Sequence, residues 1–436
     1  MKKIFFAINF NEVNLEWLKK TSSRFNFKNI NKLLKLNFVI TTSEKKYQNL
    51  EPWIQWPTYY LGKSFNEHKL FHLGDSDSFQ NYSIYNFFQK NNNAILAMAP
   101  MNTSFEVKKN SLLIHDPWSK NPVINGNSNI NSLWNTICYF VNENSNSSIN
   151  IKFIFLLLIN LFKFARLRNY QTYVKLLFLS VFFKWARAIF LDLFLFDIYY
   201  SLTKSKKYKY ASIFLNAGAH IQHHYLYDSY AYKKMGGKQQ NPLSYSSRFT
   251  KFFDPLYQVY KVYDHIAYDL IKLSKDNCIE VTTGLQQKEN LYPYFQYRIK
   301  NYQKFFSLFN ITYSHFEKKM SRDVYIYFNN NEELNTAKEK ILSFSHNKKP
   351  LFKIRSSQKN MSLFMQVAYR DNLNALQNVK FLKKNVDFRD LLTIVSIENA
   401  IHQPNGWHVN NFHKFNKKKI PLKNLTKELY GFKEKK

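Results

Sequence analysis

The sequence is poor in cysteine and in glycine. Its 436 residues include two cysteines, Cys138 and Cys278, which excludes a disulfide framework and a zinc site built from thiolates. The scarcity of cysteine fits a reducing compartment. With nine glycines the sequence has no dinucleotide-binding fingerprint, and it has neither a His-Glu-x-x-His helix nor a Gly-x-Ser-x-Gly elbow. No signature therefore indicates a dinucleotide-dependent enzyme, a metalloprotease of that type or a serine hydrolase with a nucleophile elbow.

Acidic residues are scarce as well. The chain has 63 Lys and Arg against 30 Asp and Glu, so its formal net charge is +33. A basic excess is typical of proteins that bind nucleic acid or anionic membranes. However, Lys is abundant together with Asn, Phe, Tyr and Ile, which is the bias that drift toward AT-rich codons produces. Both explanations of the charge stay open, and the absence of an RNP or zinc-finger signature argues against nucleic acid as a partner.

Long uncharged hydrophobic runs are missing. Charged residues interrupt the most apolar segment, Ile151–Leu202, so that no stretch of about 18 residues is free of charge and no spanning helix is expected. The charges recur at roughly helical intervals and predict two or three amphipathic helices with basic faces. These helices either pack on the protein's own core or lie on an anionic membrane surface. The apolar run Ile4–Phe10 is too short for a signal peptide, so we expect a cytoplasmic protein, with peripheral contact at the inner membrane surface as an option.

Apolar segments of strand length alternate with helical patterns. The expected strands include Lys3–Phe10, Asn37–Thr42, Tyr210–Leu215 and Cys278–Thr282, and Pro255–Lys275 has helical periodicity. This alternation predicts an α/β fold with a mostly parallel central sheet. We divide the chain into a first part of the core (1–150), an amphipathic helical insertion (151–205), a second part of the core (206–319), a small α+β insertion (320–375), the last core strand with a His-containing loop (376–416) and a basic tail (417–436).

Polar residues follow several of the expected strands. Asn11 comes after the first strand, Gln286 after Cys278–Thr282, and His402 after a late strand. Ligands of open α/β sheets bind outside the carboxyl ends of the strands, so these residues are candidates for one cleft.

Three histidines, His220, His223 and His224, follow the strand Tyr210–Leu215. On a helix, His220 with His223 or His224 can grip one divalent ion. The alternative is that they cap the helix or pack against neighbouring tyrosines. A role for His402 depends on its lying near this cluster, and we expect the imidazoles to converge at one edge of the sheet.

Several motifs together resemble the alkaline phosphatase superfamily, in its phosphodiesterase-like and sulfatase-like branches. Glu51–Trp56 is similar to the segment that carries the nucleophile, Ala219–His223 to an Asp-x-x-x-His metal motif, and His402–Gly406 to a late His-x-x-x-Gly loop. Asn11 falls where an Asp usually follows the first strand. The resemblance implies a three-layer α/β/α sandwich. Enzymes of this superfamily hold two metal ions, commonly zinc, and use a nucleophilic Ser or Thr to attack phosphoesters or sulfoesters.

The departures from this pattern change the expected chemistry. Glu51 or Pro52 stands at the nucleophile position, Ala219 replaces the Asp of the metal motif, and Gly284 stands where an Asp-His pair is expected. A covalent phosphoenzyme is therefore not expected. We expect at most one zinc-like ion, with its ligands drawn from a set that the resemblance implies: His220, His223, His224, His402 and Asn11.

Further candidates are assigned around this site. Glu51 is a candidate general base, or else a buried hydrogen-bonded carboxylate. Arg322 is a candidate anion-binding guanidinium, or else part of a salt-bridged junction. Asp116, before Pro117, is by default a turn residue. The expected substrate-binding residues are Gln55, Asn102, Asp116, Gln286 and Arg322.

Two functions stay open. The first is a phosphoester or sulfoester hydrolase or transferase with an altered one-metal site. The second is a catalytically inactive relative that binds an anionic ligand, either a small molecule or a glycan- or lipid-linked group, as an accessory to surface-glycan or lipid assembly. Retention of a His-dense loop favours the first, and loss of most of the superfamily's metal ligands favours the second.

Overall fold

Strands and helices alternate over most of the chain. The computed structural model describes residues 3–78, 82–117, 123–142, 151–205, 208–237, 251–319, 323–382 and 384–432. The strands are β1 (Phe5–Phe10), β2 (Asn37–Thr42), β3 (Ile95–Met98), β4 (Leu112–Ile114), β5 (Tyr210–Leu215), β6 (Cys278–Thr282), β7 (Gln286–Ile299), β8 (His315–Lys319), β9 (Asp323–Tyr327), β10 (Ser345–His346), β11 (Lys349–Pro350), β12 (Phe352–Ser357), β13 (Ser362–Val367), β14 (Val379–Phe381), β15 (Lys384–Val386), β16 (Leu392–Gln403), β17 (Asn405–Asn410) and β18 (Lys419–Pro421).

The helices occupy both the expected core and the expected insertions. They are α1 (Leu15–Phe25), α2 (Lys28–Leu33), α3 (Pro52–Leu61), α4 (Phe65–His68), α5 (Ile84–Phe88), α6 (Ser128–Asn142), α7 (Ile151–Phe164), α8 (Tyr170–Phe182), α9 (Lys184–Ser205), α10 (Ala217–Tyr225), α11 (Tyr230–Lys234), α12 (Pro255–Leu273), α13 (Tyr302–Leu308), α14 (Asn331–Ser343) and α15 (Leu422–Tyr430).

An eight-stranded sheet forms the centre of the first of two compact units, which comprises Met1–Glu289 and Ala400–Lys436. Its strand order is β18-β2-β17-β6-β1-β5-β3-β4. The central strand β1 pairs in parallel with both β5 and β6, and β17 runs antiparallel to its neighbours β2 and β6. The fold class predicted from the sequence, α/β with a mostly parallel central sheet, is confirmed.

Helices cover both faces of this sheet. Successive side chains of β1 point to opposite faces, and each face packs against a helix. On one face Asn9 Nδ2 donates a hydrogen bond to the hydroxyl of Tyr60 in α3, at 3.0 Å. On the other face the ring of Phe10 stacks on Tyr263 of α12, with 4.2 Å between the ring centroids. Both faces are therefore buried, as the near-continuous apolar sequence of β1 requires. The structure is the three-layer α/β/α sandwich that we predicted.

The amphipathic segment forms three helices, α7, α8 and α9. The buried carboxylate of Asp197 in α9 holds the turn between α7 and α8: it accepts hydrogen bonds from Arg166 Nε at 2.6 Å, from the Asn169 amide at 2.9 Å and from the Tyr173 hydroxyl at 2.9 Å. Arg166 also pairs with Asp269 of α12, at 2.7 Å. Within the described residues no helix combines the length and hydropathy that crossing a bilayer would require.

The second compact unit spans Asn290–Asn399 and has its own apolar core. An antiparallel sheet of order β12-β13-β9-β8 carries part of this core, and α13 and α14 contribute Phe305 and Ile341 to it. The unit is wider than the insertion 320–375 expected from the sequence. The reason is that flanking segments, including β14 and β16, supply the core residues Val379 and Leu392.

The segment 417–436 differs from the basic tail that we expected. Residues Lys419–Pro421 form β18, which pairs in parallel with β2, and α15 follows directly. The buried side chains Leu422, Leu425 and Leu429 recur at helical spacing and join the core, while Lys417, Lys418, Lys419 and Lys427 are exposed. This amphipathic helix was not recognised from the sequence because its apolar face is narrow and lysine is abundant around it.

Candidate metal centre

Glu12 lies directly after β1, at the carboxyl end of the sheet. Its backbone is in the left-handed region, with φ 56°, which for a residue with a side chain costs about 1 kcal/mol or more. The Gln222 amide of α10 donates to the Glu12 carbonyl at 3.0 Å, and Gln222 Oε1 accepts from Asn14 N at 2.9 Å. These bonds fix the turn, so the Glu12 side chain is presented by a constrained backbone.

His223 belongs to α10, which starts directly after β5. The carboxylate of Asp192 accepts hydrogen bonds from the backbone amides of Asn216 and Ala217, at 3.1 and 2.8 Å, and the Gly218 amide donates to the Tyr263 hydroxyl at 2.8 Å. The first turn of the helix is thereby held against α9 and α12. Because the first turn is anchored, the position of His223, about two turns further along α10, is fixed as well.

His402 lies near the end of β16, just before the chain turns into β17. Gly406 follows in β17, and a Cβ at that position would lie 2.7 Å from the carbonyl oxygen of Gly284. The close approach of two backbones explains the glycine of the His402–Gly406 motif.

The three side chains meet around one point. Nε2 of His223 lies 2.9 Å and Nε2 of His402 lies 3.1 Å from Oε2 of Glu12, and the two imidazole nitrogens are 3.1 Å apart. Ligand atoms around a tetrahedral zinc ion are separated by roughly 3.3 Å, given bond lengths of about 2.0–2.1 Å. The donor set and its spacing fit one zinc-like ion.

Neighbouring groups orient these ligand atoms. Nδ1 of His223 lies 2.8 Å from the carbonyl oxygen of Ala400, which fixes a proton on Nδ1 and turns Nε2 toward Glu12. The Gln287 amide donates to Oε2 of Glu12 at 2.6 Å, and the Asn11 amide donates to Oε1 at 3.1 Å. The carboxylate is therefore held from both oxygens.

The electrostatics of the cluster favour an ionised Glu12. Burial raises the pKa of Glu12, but the charges and hydrogen bonds of His402 and His223 outweigh burial and hold the pKa well below its ordinary value. Burial lowers the pKa of His402, yet the adjacent Glu12 reverses the direction and raises it. The buried, ionised carboxylate of Glu12 therefore requires a positive charge between it and the two imidazoles, supplied by either a proton or a metal ion.

The predicted convergence of distant imidazoles is found for His223 and His402, whereas the other proposed ligands lie outside the cluster. Among the described residues the group of ligand atoms that can share one ion is Glu12, His223 and His402. His220 and His224 face each other on α10, with 4.9 Å between ring centroids. Neither contributes a ligand atom to that group.

Asn11 is hydrogen-bonded to the cluster but is not part of the group of ligand atoms. Its Oδ1 accepts a hydrogen bond from the Trp56 indole at 2.8 Å, and its amide donates to Glu12 and to Asn216 Oδ1, the latter at 2.8 Å. The oxygen that would be a metal ligand is thus already bonded. The residue next to Asn11, Glu12, provides the carboxylate.

Glu51 lies beside the cluster at the head of α3. Its Oε2 is 3.7 Å from Nδ1 of His402, on the far side of the ring from Glu12. At this distance Glu51 acts on His402 through its charge, which contributes to raising the pKa of His402, and the general-base role stays a prediction.

The expected substrate-binding residues are mostly engaged inside the fold. Gln55 donates to the Asn49 carbonyl at 2.7 Å, and Asn102 donates to the carbonyls of Trp53 and His72 at 2.7 and 3.1 Å. Gln286 links the Leu15 amide to the Asn405 carbonyl, at 2.6 and 3.1 Å.

Two further candidates lie elsewhere. Asp116 is buried next to the edge strand β4, where burial and this carboxylate raise the pKa of the Cys138 thiol to about 12. Arg322 lies outside the described residues.

Solved structures of the predicted superfamily match this chain over nearly its whole length. Phosphonoacetate hydrolase from Sinorhizobium meliloti, solved with phosphonoformate, has 8 % identity and a TM-score of 0.41, and the match covers 97 % of this chain and 94 % of that chain. Murine ectonucleotide pyrophosphatase/phosphodiesterase 5 has 10 % identity and a TM-score of 0.42, with 100 % and 96 % covered. A mutant of TAB5 alkaline phosphatase, solved with magnesium bound, has 8 % identity and a TM-score of 0.37, with 99 % and 98 % covered.

No known protein family and no curated protein sequence matches the chain. Matches at such identities and TM-scores do not define the activity of this chain.

Sequence reasoning missed Glu12 and Gln287 as site residues. The signal for Glu12 was its position, since it is a carboxylate directly after the central strand β1. The resemblance directed attention to Asn11, the position of the usual Asp, and away from its neighbour. Gln287 follows the strand Cys278–Thr282 just as Gln286 does, but its bond to Glu12 joins residues 275 positions apart and has no local signal.

Proposed function

We propose that the protein is a metal-dependent hydrolase of a phosphoester or sulfoester, in which Glu12, His223 and His402 bind one zinc-like divalent ion. The observation that carries this proposal is the triangle of Oε2 and two Nε2 atoms with sides of 2.9–3.1 Å. Three ligands of this type leave a tetrahedral ion one open position, as catalytic zinc sites require.

The hydrogen bonding supports a cation in this triangle. With its proton on Nδ1, a neutral His223 turns a lone pair toward the Glu12 carboxylate, at 2.9 Å, and such a contact is repulsive without a positive charge between the atoms. A divalent ion in this position satisfies all three donors together.

The ligand set also suits an anionic substrate. One carboxylate and two neutral imidazoles carry a single negative charge, so a divalent ion together with these three ligands would carry one net positive charge, with the Glu51 carboxylate beside it. When bound, the ion would supply Lewis acidity toward an ester oxygen and toward a water molecule. Among the residues of the chain, Glu51 orients His402, and Gln287 and Asn11 hold Glu12.

The head of α3 supports direct attack by water over a covalent route. The residue preceding Pro52, where the superfamily places its Ser or Thr, is Glu51. A carboxylate that contacts His402 leaves no hydroxyl at this position to form a phosphoenzyme. An alcohol acceptor in place of water would make the same site a transferase.

Elemental analysis of protein purified without chelators tests the metal site. We expect about one zinc-like ion per chain in the wild type, and loss of the ion in His223→Ala and in His402→Ala. His220→Ala and His224→Ala are matched controls on the same helix and should keep the ion. Equal metal content in all five proteins would overturn the proposal.

Activity is tested with three chromogenic esters, 4-nitrophenyl phosphate, bis(4-nitrophenyl) phosphate and 4-nitrophenyl sulfate. We expect slow turnover of at least one ester that disappears in His223→Ala and persists in His220→Ala. Metal binding together with phosphate binding but without turnover would support the alternative, an inactive relative that binds an anionic ligand.

A further inference from the structure

Helix α7 exposes large apolar side chains along one face. Ile154, Phe155, Leu158, Ile159 and Phe162 are 40 to 76 % exposed and recur at intervals of one, three and four residues. The opposite face is buried, with Leu161 and Phe164 in the core. Helices at a protein surface ordinarily turn their apolar face inward, whereas α7 has a second apolar face that is exposed in the part of the chain that the structure describes.

Helix α8 repeats this arrangement. Val174, Phe178, Val181 and Phe182 are 54 to 74 % exposed and lie on one helical face, while Tyr173, Leu176 and Leu179 are buried. Leu167, in the turn between the two helices, is 80 % exposed. Of the nineteen large hydrophobic side chains that are exposed in the described residues, ten lie between Ile154 and Phe182. Such a concentration marks an interaction surface.

The charge of the same segment has one sign. Residues 151–191 contain seven Lys and Arg and not a single Asp or Glu. Lys163 is exposed near the end of α7, and Lys184, the first residue of α9, is exposed just beyond the end of α8. Arg166 is held by Asp197 and Asp269, which come from α9 and α12, so the turn that joins the helices is fixed to the core.

We propose that the exposed faces of α7 and α8 dock the protein onto an anionic lipid bilayer, with the two helices lying in the plane of the headgroups. Phe and Leu side chains on one face with flanking lysines are the pattern of in-plane amphipathic helices. The absence of acidic residues matches a negatively charged surface, which attracts lysine and arginine near a membrane. Because both helices pack on α9, this surface is preformed.

The proposal goes beyond the proposed hydrolase activity and does not depend on it. It would bring the protein to substrates that are carried by membrane lipids, and it involves no residue of the metal centre.

Co-sedimentation with vesicles tests the proposal. We expect the wild type to sediment with vesicles of phosphatidylglycerol and phosphatidylcholine at low salt, and binding to fall by about tenfold at high salt or with phosphatidylcholine alone. Phe155→Ser with Phe162→Ser, and separately Phe178→Ser with Phe182→Ser, should each reduce binding by about tenfold or more. Lys163→Gln with Lys184→Gln should reduce binding at low salt.

Matched controls lie in the second unit. Tyr292→Ser with Leu308→Ser removes side chains that are 85 and 54 % exposed, and Lys353→Gln with Lys359→Gln removes two exposed charges. These variants should bind vesicles as the wild type does. Absence of wild-type binding at low salt would overturn the proposal, as would serine variants that bind like the controls. A dimer that the serine variants abolish, without vesicle binding, would assign the surface to a second copy of the chain.

Discussion

The Nε2 atoms of His223 and His402 lie 3.1 Å apart although 179 residues separate them in the chain. His223 is carried by the helix that follows β5, and His402 by the strand that precedes β17. Both therefore reach the carboxyl end of β1, where Glu12 stands. This meeting of two imidazoles at a buried carboxylate is the basis of the proposed metal site.

Replacing Glu12 by Gln tests the charge of the metal site. The amide keeps the shape of the side chain but removes the negative charge and part of the ligand strength. We expect metal affinity to fall by more than the roughly 10–100-fold that loss of an orienting residue costs. Competition with a chromogenic chelator measures the affinity. Glu16→Gln, on the exposed face of α1, is the control, and equal affinities in the two variants would contradict the assignment of Glu12.

Replacing Glu51 by Gln separates orientation from ligation. Because Glu51 contacts the far nitrogen of His402, we expect the ion to be retained at unchanged stoichiometry but bound about tenfold more weakly. Metal content and chelator competition together distinguish the two effects. Loss of stoichiometric metal would make Glu51 a direct ligand, and unchanged affinity would show that its contact with His402 has no role.

Replacing Gly406 by Ala tests the backbone approach behind His402. The new Cβ would lie 2.5 Å from Thr41 Oγ1 and 2.7 Å from the Gly284 carbonyl oxygen, so β17 must shift. We expect the free energy of unfolding to drop by about 1–3 kcal/mol, and metal affinity to fall although no ligand is changed. Urea unfolding and chelator competition check both, and wild-type values in both would refute this account of the glycine.

Replacing Arg166 by Met tests the ion cluster under α7 and α8. The change leaves the buried carboxylates of Asp197 and Asp269 without their strongest partner, and we expect a loss of about 3 kcal/mol in the free energy of unfolding. Arg389→Met is the matched control, since Arg389 pairs with Asp387 at the surface and its removal should leave the stability unchanged. Similar destabilisation by both variants would contradict the expectation that the buried cluster stabilises the fold and the surface pair does not.

Stability should depend on pH through Glu280, a buried residue of β6. Burial raises the pKa of Glu280 to about 7, against the opposing hydroxyls of Tyr430, Tyr59 and Tyr210. Between about pH 4.5 and pH 7 the unfolded chain has released this proton while the folded chain still holds it, so stability falls as the pH rises, by about 3 kcal/mol at most. The nearest basic group, His408 Nε2, lies 3.9 Å away and its pKa is lowered to about 3 by burial, so it contributes no compensating charge.

Glu280→Gln keeps a polar group opposite the Tyr59 hydroxyl and removes the titration. We expect the difference in unfolding free energy between variant and wild type to grow in favour of the variant from pH 5 to pH 8. Urea unfolding at several pH values measures this difference. A difference that does not change with pH would mean that Glu280 ionises at its ordinary value.

Much of the core was predictable because its strands are short apolar runs bounded by turn residues. The bounds of β2, β5 and β6 agree with the sequence-based expectation to the residue. The segment 417–436 was not recognised, because a strand of three residues and a helix rich in lysine carry little local signal. Its burial comes from pairing with β2 and from packing of α15 on α3.

The sequence by itself determined the α/β class, the parallel sheet and the two histidines that matter most, because the patterns of alternation and the order of strands act over short distances along the chain. Only the tertiary structure decided which groups share the site. Glu12 joins His223 and His402 because its backbone, in the left-handed region, directs the side chain toward them. His220 and His224 lie outside the site because they pack against each other on α10. Asn11 lies outside it because its side-chain oxygen already accepts a hydrogen bond from Trp56. Direction and contact of side chains arise between segments distant in sequence, and no local pattern encodes them.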